Sequence, residues 1–122
     1  MSTTPASTAP TSTATPRTVL AASRQVVDHL PWQPLPGCTG VSTKVISDVD
    51  GDVAGLLRLA PSAQEVQHVH GHGSHHLWVL SGSVVVGGMP LPEGSYLHVP
   101  AGLVHDLHDA GDGSTLFYVF SR

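Results

Sequence analysis

Eight of the nine histidines lie between His68 and His108, five of them in the run Gln67-His68-Val69-His70-Gly71-His72-Gly73-Ser74-His75-His76. In an extended chain, residues two apart project from the same face, so His68 and His70 stand side by side. Val66 shares that face and turns the pair toward a protein interior. Two neighbouring imidazoles inside a protein repel when protonated and need a partner when neutral. A divalent metal answers both demands, and imidazole is a ligand for zinc, copper, iron and nickel. His75 follows a glycine-containing loop and shares its face with Leu77 and Val79. His105 belongs to a third inward set with Leu103 and Leu107. Three strands can thus bring His68, His70, His75 and His105 onto one ion. The bland alternative is a surface tract that picks up adventitious metal, and the inward parity of the third and fourth histidines weighs against it. His72, between glycines, is a loop residue at the mouth of the site or a competing ligand. His76 has the opposite parity to His75 and faces outward, unless it replaces His75 as ligand. His29, His98 and His108 have no evident chemical partner.

The elements that must position these side chains are short. The chain has 122 residues, 40% hydrophobic and 11% charged, with 13 Gly and 10 Pro. That length fits one domain. Apolar runs of four to eight residues alternate with turn residues, the pattern of short strands. Candidate strands are 41–47, 53–59, 66–70, 75–81, 84–86, 96–99, 103–107 and 116–120. Asp50-Gly51, Ala60-Pro61, Ser81-Gly82, Gly87-Gly88, Glu93-Gly94, Pro100-Ala101-Gly102 and Gly111-Asp112-Gly113 mark the turns. Eight short strands with tight turns predict an all-β sandwich or small barrel over residues 41–122. Residues 17–40 read as an N-terminal arm, with a turn or two of helix around 18–28 and prolines at 31, 34 and 36 holding it extended beyond. Trp32 would anchor that arm. Residues 1–16 form a Ser/Thr/Pro/Ala tail that cannot offset its ordering entropy, so it is expected to be disordered.

Composition excludes several roles. Five Lys+Arg against nine Asp+Glu leave a net charge of -4, which offers no basic surface to a phosphate backbone. A single cysteine, Cys38, rules out an intrachain disulfide framework and a cysteine-rich zinc module. No apolar run is long enough to cross a bilayer, and no secretory signal pattern is present, so a cytoplasmic location is expected.

The spacing resembles the cupin family. Its first motif has two His one residue apart, a Glu a few residues on, and a Gly at the end of the next strand. Here these are His68, His70, His75 in place of the Glu, and Gly82 after Trp78-Val79-Leu80-Ser81. Its second motif matches Gly94-Ser-Tyr-Leu-His-Val-Pro100-Ala-Gly102-Leu-Val-His105, with Asp109 where the family has Asn. The stretches 30–37 (Leu-Pro-Trp-Gln-Pro-Leu-Pro-Gly) and 56–61 (Leu-Leu-Arg-Leu-Ala-Pro) are similar to the ChrR-like cupins, a subgroup that also resembles small dioxygenases acting on diketones and hydroxyacetophenones. The resemblance implies a single-domain jelly-roll barrel, the double-stranded β-helix, with a four-histidine site for one divalent transition metal per chain. Iron is the first choice, with zinc, manganese, nickel or copper as alternatives. It further implies an oxidoreductase of the dioxygenase kind, cleaving a small chelating, enolisable carbonyl substrate. Four neutral ligands leave the ion's charge uncompensated, which favours an anionic chelator. A zinc-dependent cyclase or isomerase, and a sensor that binds a small molecule or metal without turnover, stand as alternatives. No zinc-binding helical segment precedes the barrel, so a sigma-factor partner is not expected.

Other reactive groups are few. Arg58 could pair with a substrate carboxylate, and Tyr96 or Tyr118 could donate a hydrogen bond in the pocket. Solvent exposure and packing are the ordinary fates of such residues. Glu65 and Asp106 could orient ligand imidazoles. Sheet edges, the Trp32 arm and the outward parity of Trp78 predict a homodimer.

Overall fold

The computed structural model describes residues 21–69, 73–102 and 104–121, with the backbone alone at 65–69 and 104–105. The tail expected to be disordered, residues 1–16, lies outside them. One short helix, α1 (Arg24–His29), precedes ten strands: β1 (Gln33–Pro34), β2 (Val41–Val49), β3 (Asp52–Leu59), β4 (Gln64–Val69), β5 (Ser74–Ser81), β6 (Ser83–Val86), β7 (Met89–Pro92), β8 (Tyr96–Val99), β9 (Val104–Asp109) and β10 (Ser114–Ser121). They form two antiparallel sheets, ordered β1-β2-β3-β10-β5-β8 and β4-β9-β6-β7. This is the all-β jelly roll that the sequence leads one to expect. All eight candidate strands are present, with no end shifted by more than two residues. Two further strands are short edge pieces that alternation could not reveal. β1 is two residues long, and β7 carries Pro90 and Pro92, which a ladder tolerates only at its margin.

Local chemistry explains the turns. β2 and β3 are joined by Asp50 and Gly51, both with positive φ (54° and 88°), and β6 and β7 by Gly87 and Gly88 (56° and 81°). Two consecutive left-handed residues make the tight turn whose twist matches that of paired strands. Among the described residues, the core between the sheets includes Val41, Leu57, Leu59, Ala63, Leu77, Val79, Val84, Leu107 and Leu116. Alternation puts these residues inward and their neighbours outward.

The helix is set by its ends. The Ser23 hydroxyl accepts from the backbone N–H of Val26 at 3.2 Å, and Pro31 follows immediately after the C-cap Leu30. Lys44, only 6% exposed on β2, donates from Nζ to the carbonyl of Val27 at 2.9 Å. A cation at the carbonyl end of a helix is favourably placed. The same ammonium lies 4.8 Å from the Trp32 ring centroid, and the Arg58 guanidinium lies 4.1 Å from it. Trp32 is thus an anchor, as expected, and its mooring is the outer face of its own chain's larger sheet.

Candidate metal centre

β9 supplies the first reference point. Leu107 is 1% exposed, and position 105 lies two residues before it in the strand. β4 pairs with β9 through Gln64–His108 and Glu65–Leu107, then through His68–His105 and Val69–Val104. One extra residue is therefore accommodated on β4 between Glu65 and His68, a β-bulge. Without it, Gln67 would oppose His105. The bulge is what brings 68 opposite 105.

β4 ends at Val69 and the next strand begins at Ser74, so His75 enters the larger sheet directly after this pair. His75 shares its face with buried Leu77 and Val79 and lies opposite Val99 on β8 and Phe120 on β10. Its ring meets Phe120 edge-on, with centroids 4.9 Å apart and planes at 67°, and Tyr118 at 6.3 Å and 85°. Its Nδ1 is shut off from solvent. These walls restrict the imidazole to a narrow range of orientations, as a ligand requires.

Tyr118 is itself held. Thr43 Oγ1 donates to the Leu56 carbonyl at 3.1 Å, so at its 3.1 Å contact with Tyr118 the phenol is the donor. Gly55 makes room for that ring, since a Cβ there would meet the Lys44 carbonyl and stand 3.0 Å from Tyr118 Oη. Phe120 was not singled out from the sequence; its identical parity to Leu116 was the available signal.

The remaining candidates fall elsewhere. His70 and His72 lie outside the described residues, and no side chain is described for His68 or His105. Among the described residues, no group of three potential ligands converges on a point. Arg58 and Tyr96 are both exposed, on the outward face, over Trp32 and beside His76 respectively. Asp106 accepts from Gln64 Nε2 at 3.1 Å. His108 Nδ1 sits 3.3 Å from the Asp109 carbonyl oxygen. His76 faces outward, as its parity predicts, and stacks across β5 and β8 on His98, for which the sequence offers no partner.

Asp109 has a structural task. It is 4% exposed, and its Oδ2 accepts from the backbone N–H groups of Gly111 at 2.7 Å, Ser62 at 2.9 Å and Gly113 at 2.9 Å. Burial pushes its pKa up, but the backbone hydrogen bonds from Gly113, Ser62 and Gly111 outweigh burial and hold it below the ordinary carboxylate value. The carboxylate ties the turn after β3 to the turn after β9. The groove beside it, lined by Gly37, Thr39, Gly40, Ala60, Pro61, Ser62, Ala63 and Gln64, holds no titratable side chain.

Comparison with known proteins agrees with this architecture. The family model described as the ChrR Cupin-like domain matches residues 22–122. No curated protein matches. Among solved structures, an RmlC-like cupin from Shewanella frigidimarina is 20% identical with a TM-score of 0.68, over 77% of this chain and 85% of its own. The polyketide cyclase RemF from Streptomyces resistomycificus is 16% identical with a TM-score of 0.71, over 84% and 79%. The anti-sigma factor ChrR of Rhodobacter sphaeroides, in complex with SigE, is 18% identical with a TM-score of 0.67, over 77% of this chain and 50% of that one.

Proposed function

The chain belongs to the ChrR cupin-like domain family, and on that footing we propose that it is a metal-dependent dioxygenase. Its ligands are His68, His70, His75 and His105. The observation that carries this reading is the register of β4 on β9, with position 68 opposite 105 at the end of β4 that leads into His75. The donor set fits a borderline divalent ion, because neutral imidazoles suit iron, zinc, copper and nickel. Iron(II) bound there would supply open coordination positions for a chelating, enolisable carbonyl compound and for dioxygen. The protein's own contribution is packing. Phe120 and Tyr118 fix the His75 ring and keep water from that side. The Tyr118 hydroxyl, donated to Thr43, acts as a wall and not as an acid. With no carboxylate among the four ligands, an anionic substrate is favoured over a neutral one.

A second reading, zinc-dependent cyclisation or isomerisation, is favoured by the likeness to the polyketide cyclase RemF. Elemental analysis of tag-free protein, alongside oxygen uptake with a β-diketone, separates the two. Near-stoichiometric iron that disappears in His70→Ala, with oxygen consumption, is the expected result. Zinc with turnover under nitrogen would favour the cyclase, and metal without turnover a sensor. A folded wild-type protein that retains no metal would sink both enzyme readings and leave a sensor that binds a small molecule.

The chain is also proposed to form a homodimer. Because Trp32 is engaged by Lys44 and Arg58 of its own chain, support for that association falls to the exposed residues Trp78 and Leu80, with Phe117 beside Trp78.

A further inference from the structure

His75 and His76 are adjacent on β5 and therefore leave opposite faces of the sheet. His76 lies directly across from His98 on β8. Directly opposed residues on antiparallel strands have Cβ atoms about 4.5–5.5 Å apart, a span two imidazoles can close onto one ion. The two rings are already nearly parallel, with centroids 4.5 Å apart and planes inclined by 6°. Each lone pair lies in its ring plane, so to bind one ion both rings rotate out of the stack about their side-chain torsions, a motion open to them on the outer face of the sheet. A third group prepares His76 for this. The Tyr96 hydroxyl lies 2.6 Å from His76 Nδ1, and its ring stacks at 6.1 Å and 24°. With Nδ1–H donating to Tyr96 Oη, Nε2 presents its lone pair outward, the arrangement by which a neighbouring oxygen sets the tautomer of a metal-binding histidine.

We propose that His76 and His98, with Tyr96 orienting His76, form a second transition-metal site on the outer face of the larger sheet. The occupant is a divalent ion that favours imidazole, copper(II) above the others, with water completing its coordination. His98 and Tyr96 are exposed, so the ion reaches the site from solvent without passing through the barrel. Bound there, it clamps the edge strand β8 to β5, behind the strand that carries His75. The inference does not depend on the interior site being a metal centre.

The probe is copper(II), titrated into tag-free protein by calorimetry and followed by tryptophan fluorescence. Trp78 lies 5.0 Å from Tyr96, centroid to centroid, and reports on this end of the sheet through quenching by bound copper. Wild type is expected to show a saturable copper equivalent with quenching. His98→Gln and His76→Gln should each lose that equivalent, with unchanged circular dichroism and unchanged copper-free Tm. Tyr96→Phe should keep it but weaken it roughly tenfold, as expected for loss of an orienting partner. Trp78→Phe should keep the equivalent and lose most of the quenching. If both glutamine variants bind as many copper ions as wild type with the same affinity, the site does not exist. If the equivalent disappears in His75→Ala and persists in His98→Gln, it belongs to the interior and the proposal fails.

Discussion

Asp109→Asn isolates the contribution of one buried carboxylate oxygen that accepts three backbone N–H groups. A hydrogen bond to a charged group contributes about 1.5–3 kcal/mol net. Asparagine keeps an oxygen at the same place but removes its charge, so all three N–H donors then meet a weaker, neutral acceptor. The side-chain amide also brings donors into a site already crowded with donors. Together these changes should cost about 2–4 kcal/mol at neutral pH, a large share of the 5–15 kcal/mol typical of a domain. For a chain of this size, that lowers Tm by on the order of 10 °C. The pH dependence gives a sharper test. The folded pKa is depressed, so the stabilisation is fully present above the unfolded value near 3.8 and is lost as pH falls through the folded value. Urea unfolding of wild type and variant should therefore show a gap that is constant at neutral pH and narrows in the acid range below that value. Equal stabilities at pH 7, or a gap of the same size at every pH, would refute this account of the carboxylate.

Gly55→Ala should destabilise by about 1–3 kcal/mol, as overpacking does, because the new methyl meets the Lys44 carbonyl and Tyr118; thermal unfolding reads the loss. Near-ultraviolet circular dichroism should also register the displaced Tyr118 ring. Lys44→Ala removes the tether to Val27 and one of the two cations over Trp32, so trypsin should cut at Arg24 more readily and Trp32 emission should shift to the red, while the barrel's unfolding free energy falls by only about 1–2 kcal/mol. Sedimentation of Trp78→Ser should show a smaller mass than wild type at the same concentration, whereas a wild type that is already monomeric would remove the case for the dimer.

The strand set and the inward parity of His75 and Leu107 could be read directly from the sequence, because alternation and glycine turns act between near neighbours. The histidine spacing and the shaping Gly and Pro residues made the family legible for the same reason. Position 68 opposite 105 was not legible in this way, since it depends on a bulge in β4 that shifts pairing by one residue, and a bulge answers to the partner strand. Nor was the role of Asp109, whose three donors come from two turns far apart in the chain. Arg58 and Tyr96 offered suitable chemistry for a pocket but stand on the outer face, where Trp32 and His76 engage them. Residue type and period set which way a side chain leaves its own strand. Which strand lies beside it, and hence what that side chain meets, is decided only when distant segments pack.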